Sequence, residues 1–157
     1  MLSKRHSDLT LLNSMKIEQV IGTTLNKYGF LKKGRYVFKR EGSVIVKLQV
    51  YSSRYGPGVY VDIAVVVGEM SKEYKPSLAY DAVVRLASLY PESDQFIKAD
   101  LSEAECEQFS EFLEGVAPRL EELFRVRGLT NLVSDKAWVK AAGFRHKVLT
   151  LEASSVT

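Results

Sequence analysis

The chain has 157 residues, of which 46% are hydrophobic and 26% charged, and a net charge of +3; that is enough for one domain with its own core and excludes wholesale disorder. A single cysteine, Cys106, excludes an intramolecular disulfide or a cysteine-based zinc site within one chain, and it fits a reducing, cytoplasmic setting. The longest wholly apolar run, Ile63 to Val67, is far too short to span a membrane, and Met1–His6 is followed by Ser7 and Asp8 instead of the apolar core of a secretory signal.

The charge is unevenly spread. Residues 1–58 carry eleven Lys/Arg against three acids, and residues 92–125 carry ten acids against Lys98, Arg119 and Arg125. Such asymmetry marks either an acidic-partner or nucleic-acid surface, or two halves of one domain that attract each other. The second reading is preferred.

From about Leu9 to Tyr28, Ile17, Val20, Ile21, Leu25 and Tyr28 recur at helical spacing, and Gly29 supplies a left-handed C-terminal cap. Asp8, Thr10 and Ser14 compete as the N-cap. Three strands follow, Arg35–Arg40, Val44–Tyr51 and Val59–Val67, joined by turns at Glu41-Gly42 and Tyr55-Gly56-Pro57-Gly58. The Glu41-Gly42 turn closes with two residues or with a bulge, so the facing of the first strand stays open. In the next two strands Val44, Val46, Leu48 and Val50, with Val59, Val61, Ile63 and Val65, form a core face. A turn centred on Tyr55-Gly56 pairs Tyr51 with Tyr60 and Gln49 with Asp62 on the other face, which alternation predicts to be polar and solvated.

Gly68–Ser77, with Pro76, reads as a loop. Leu78–Tyr90 fits a helix or, around Val83-Val84-Arg85-Leu86, a strand; Pro91 closes it, and Asp94–Lys98 reads as a short edge strand with Phe96 inward. Ser102-Glu103-Ala104-Glu105 is a capping box. It opens a helix whose stripe is Phe109, Phe112, Leu113, Val116, Leu120, Leu123 and Phe124, with a bend expected at Gly115 and Pro118. Another helix is expected from Thr130 or Asn131 to Ala142, carrying Trp138 and ending at Gly143. Phe144–Leu151 is a strand or a last helical turn, and residues 1–8 and 152–157 are loose tails.

No catalytic or metal-binding motif stands out. His6 and His146 lack a second ligand at useful spacing, so no metal and no cofactor is expected. Cys106 shares the apolar stripe of its helix, which makes it an inert thiol. The glutamates between 103 and 122 lie mostly on a solvated helix face and lack the partly buried pocket that paired catalytic carboxylates need. The set that remains is Arg35, Lys47, Gln49, Tyr51, Arg54, Tyr60 and Asp62, with Arg85 added as a phosphate contact. Aromatic rings beside cations on one sheet face suit an acidic, phosphate-bearing or planar ligand. Set against that, Tyr, Lys and Gln also populate a solvated sheet face simply because they suit strands.

Gly29-Phe30-Leu31-Lys32-Lys33-Gly34-Arg35, followed by Phe38 and Arg40, then Val59-Tyr60-Val61-Asp62-Ile63 and later Arg85-Leu86, resembles a family of small bacterial domains of unknown function. Its members begin with a helix ending in a Gly-Phe-x-Lys-Lys-x-Gly-Arg-like segment and continue into a short antiparallel sheet. The resemblance covers roughly residues 15–90. It implies a helix-then-sheet order and no known activity, substrate or cofactor.

The expectation is a single α+β domain: an N-terminal helix, an antiparallel sheet of four or five strands, and C-terminal helices packed on one sheet face. The leading functional reading is a non-enzymatic binding or interaction module, immunity-like or regulatory, that presents the polar sheet face to a protein partner. The alternative is an enzyme or binding protein acting on a nucleotide or single-stranded nucleic acid, with Asp62 as acid/base and Arg35, Arg54 or Arg85 on phosphate; no nucleic-acid motif accompanies it. A homodimer through exposed strand edges is compatible with either.

Overall fold

A computed structural model describes residues 14–56, 58–68 and 80–156. A two-residue strand, β1 (Met15–Lys16), leads directly into helix α1 (Ile17–Leu25), which buries Ile17, Val20, Ile21 and Leu25. The helix therefore starts well after Leu9, and Ser14 is not its cap; Asp8 and Thr10 lie outside the described residues. Lys16 holds the N-cap position without a side-chain hydrogen bond. The start is set instead by a distant segment: the Ile17 N–H donates to Ala99 O at 3.0 Å, and β1 pairs antiparallel with β7 (Asp100–Leu101). A 3-10 turn (Asn26–Tyr28) ends at Gly29, whose φ of 92° is the left-handed cap read from the sequence.

The main sheet contains β2 (Leu31–Lys33), β3 (Tyr36–Glu41), β4 (Val44–Ser52), β5 (Val59–Val67), β6 (Ala82–Arg85) and β8 (Val139–Lys140), in the order β2-β3-β4-β5-β6-β8 and antiparallel throughout. Six strands thus replace the four or five expected. β2 was missed because Lys32-Lys33 carries no alternation; it is an edge strand, exposed along its length, where lysines are the usual protection. Glu41 pairs with Val44 across the two-residue turn Gly42-Ser43, with Gly42 at φ 60°. That settles the open facing: Val37 turns to the core, and Tyr36, Phe38 and Arg40 share the opposite face with Lys47 and Gln49.

The ambiguous stretch before Pro91 is strand and helix in succession. β6 gives way at Leu86 to a single helical turn, α2 (Leu86–Leu89), and Pro91–Phe96 is a 3-10 helix where an edge strand was expected; Phe96 is nevertheless buried. Pro91, with its fixed φ, suits the start of such a turn, and the Ser93 hydroxyl donates to Tyr90 O at 2.7 Å.

Helix α3 (Glu103–Glu122) carries both hydrogen bonds of the capping box and runs as one helix through Gly115 and Pro118. Phe109, Leu113, Val116 and Leu120 are buried, while Phe112, Leu123 and Phe124 are only partly so. Two corrections follow in the C-terminal third. α4 spans Val126–Ser134 where a helix from Thr130 or Asn131 to Ala142 was expected, and α5 spans Phe144–Val156. Trp138 is buried in the connection to β8, not on a helix. Asp135 ends α4 and accepts the Ala137 N–H on Oδ1, a turn that frees Val139 to pair with Val83.

Helices α1, α3, α4 and α5 contribute to one core with the Val46/Leu48/Val61/Ile63 rows of the sheet. Across this layer Lys39 meets Glu121 and Lys27 meets Glu114, so part of the basic N-terminal half is neutralised by the acidic helix. The opposite sheet face departs from the solvated surface that alternation suggests: Ile45, Lys47 and Ala64 at its centre are buried, and polar groups are accessible only toward its margins.

Candidate functional site

The expected register places Tyr51 opposite Tyr60 and Gln49 opposite Asp62, and β6 adds Arg85 opposite Asp62. Side chains two apart on neighbouring strands lie on the same face within reach of long groups. The Tyr51 hydroxyl donates to Asp62 Oδ2 at 2.6 Å and accepts from Arg85 Nη2 at 3.0 Å. Arg85 Nε stands 3.5 Å from Asp62 Oδ1, a buried oxygen with no hydrogen bond of its own. The Arg85 guanidinium lies 3.9 Å from the centre of the Tyr60 ring, and the Tyr51 and Tyr60 rings are 5.6 Å apart. Burial, with the Asp62 hydrogen bond second, raises the Tyr51 phenol pKa, and the Tyr51 hydrogen bond is the main cause that raises that of Arg85. The four side chains form one closed network.

The Asp62 side chain is 12% exposed and that of Arg85 is 44% exposed. Asp62 and Arg85 border a hollow of about 290 Å³ whose walls are Val83, Val84, Ser88, Ala137 and Val139. Ser88, Ala137 and Val139 were not foreseen. Ser88 stands on α2 directly after β6, whereas Ala137 and Val139 arrive through the β6–β8 pairing, a contact between segments more than fifty residues apart that leaves no local pattern.

The other residues of the predicted set divide. Gln49 lies between Tyr36 and Asp62 and is half-buried. Lys47 is one row away, 1% exposed, with Nζ 5.6 Å from the Tyr36 ring centre; loss of hydration pushes its pKa down to about 8. Arg35 is not part of the network. It donates from Nη1 to Ser52 Oγ at 3.0 Å and stands 4.0 Å from Glu18 of α1, on the helix side of the sheet. Arg54 is exposed in the turn after β4. The three arginines grouped as phosphate contacts therefore do not converge.

Asp81, which the sequence reading passed over, is buried and fully occupied: Oδ2 accepts the Val67 N–H at 2.7 Å and Oδ1 accepts Lys147 Nζ at 2.8 Å. It anchors the start of β6. Cys106 is half-buried, and burial together with Glu105 and Glu103 raises its thiol pKa, opposite to what a nucleophile needs. His146 is exposed on α5, and among the described residues no group of three or more potential metal ligands occurs. No described helix is long and apolar enough to cross a membrane.

Compared with protein-family models, curated proteins and solved structures, the chain matches none.

Proposed function

We propose that this domain is a non-enzymatic binding module that presents the Tyr51/Tyr60/Asp62/Arg85 margin of its sheet to a protein partner. The observation that carries the reading is Arg85 stacked at 3.9 Å on Tyr60 while its side chain stays 44% exposed. A guanidinium held flat by a ring, with one edge pinned by Tyr51 and Asp62, has already lost much of the side-chain freedom that binding would otherwise remove. Arginine and tyrosine are also the side chains that most often anchor protein interfaces. The hollow between Arg85 and Val139 gives such an anchor a place to receive a partner side chain.

The nucleotide or single-stranded nucleic acid reading has less support. Asp62 offsets the charge of Arg85, and Arg35 and Arg54 lie elsewhere; a phosphate chain needs cations that converge.

A photo-crosslinking residue at position 60, irradiated in a native lysate, should give a discrete adduct that disappears when Arg85→Glu is added to the folded protein. An adduct indifferent to that substitution, or none from position 60, overturns the reading. Salt-sensitive binding of single-stranded oligonucleotides that Arg85→Glu abolishes would favour the nucleic-acid branch instead.

A further inference from the structure

A second surface lies on the helix layer, away from the sheet face above. We infer that the groove between α1 and α3 receives a cationic amphipathic helix of a partner protein. The groove is an open one of about 400 Å³; Val20 and Thr23 of α1, Met15 and the half-buried Cys106 line it, and Glu107, Ser110, Glu111 and the Lys27-paired Glu114 stand along its α3 side. Met15 is 38% exposed, among the few large apolar side chains so placed in the described residues. Its unbranched thioether adapts to varied apolar partners.

The charge along α3 identifies the occupant. Glu105, Glu114 and Glu121 each meet a lysine of this chain, respectively Lys98, Lys27 and Lys39. Glu103, Glu107 and Glu111, spaced four residues apart on the same helix, are exposed and have no ion-pair partner among the described residues. Like charges at this spacing repel each other. An apolar trough beside an uncompensated row of carboxylates complements a helix with aliphatic side chains on one stripe and lysines or arginines flanking it. An anionic membrane surface, the other common binder of amphipathic elements, would be repelled by the same row.

The test uses the full chain and a labelled synthetic peptide of about 18 residues, leucines at helical i, i+3, i+4, i+7 spacing and lysines elsewhere, beside a scrambled peptide of identical composition. Fluorescence anisotropy at physiological salt should show saturable binding of the patterned peptide and about tenfold weaker binding of the scrambled one. Glu107→Lys/Glu111→Lys should weaken binding by tenfold or more, and Thr23→Trp, which fills the trough without altering charge, should do the same. Circular dichroism melts confirm that each variant is folded. Equal affinity for the two peptides, or indifference to both variants, overturns the inference. Binding that emerges only after Lys4→Glu/Arg5→Glu would assign the groove to this chain's own N-terminal segment. Concentration-dependent self-association lost in Glu107→Lys/Glu111→Lys would assign it to a second copy, and either result also overturns the proposal.

Discussion

Tyr51 and Asp62 are diagonal neighbours across the β4–β5 ladder, joined by a 2.6 Å hydrogen bond from the phenol to Asp62 Oδ2. Because Asp62 is largely buried, the phenol replaces water that the carboxylate cannot otherwise reach. Tyr51→Phe should cost about 1.5–3 kcal/mol, the range for a hydrogen bond to a charged group, measured by urea unfolding. An unchanged midpoint would mean that solvent reaches Asp62 freely, and the network would then not be preorganised.

Lys47 makes stability depend on pH in the alkaline range. Its folded-state pKa, about 8, lies below the ordinary 10.5, so between these values the unfolded chain holds a proton that the folded chain has released. Stability therefore rises with pH across this window, by an amount on the order of 3 kcal/mol over its full width. The raised phenol of Tyr51 acts in the opposite sense but only above about pH 10. Urea midpoints measured from pH 8 to 10 should climb in the native protein and flatten in Lys47→Met.

Two glycines of the helix layer should respond in opposite directions to alanine. A Cβ on Gly128 would sit 2.0 Å from the Glu122 carbonyl oxygen, where the chain turns from α3 into α4, so Gly128→Ala should destabilise by about 2 kcal/mol or more. Gly115 is exposed within α3 and a Cβ there meets nothing within 4 Å. Gly115→Ala should stabilise by about 0.5–1 kcal/mol. Thermal melts of the pair check both signs.

The aromatic cluster orders its own members. Phe109 is fully buried with its ring centre 5.2 Å from that of Phe96, whereas Phe112, which the helical stripe also assigns to the core, is only partly covered beside Tyr90. Phe109→Ala should cost about 3–5 kcal/mol and Leu48→Ala about 2–5, with Phe112→Ala well below Phe109→Ala. Equal losses at positions 109 and 112 would contradict this packing.

The part of the candidate site that lies on β4 and β5 is legible in the sequence. Strict alternation in β4 and β5 and the short turn between them set the register, so Tyr51, Tyr60, Gln49 and Asp62 could be grouped from sequence alone. Arg85 could be named but not placed, because strand and helix patterns overlap around Val83–Leu86. Arg35 was grouped wrongly: its facing hung on whether the Gly42 turn held two residues or a bulge, and one residue of slip reverses a strand.

The amino-acid sequence by itself determined the elements whose signals are local: the Gly29 cap, the β3–β4–β5 meander and the capped start of α3. Their periods, turn residues and caps act over a few positions, and no distant segment overrode them. Only the tertiary structure decided where α1 begins, how many strands the sheet has, and that Lys47 lies buried within a face expected to meet water. Those outcomes rest on Ile17 meeting Ala99, on β8 pairing with β6 and on packing over the sheet, interactions between residues far apart in the chain that leave no periodicity to read. The network around Arg85 belongs to both: half of it is strand alternation, and the other half is a strand that arrives from elsewhere.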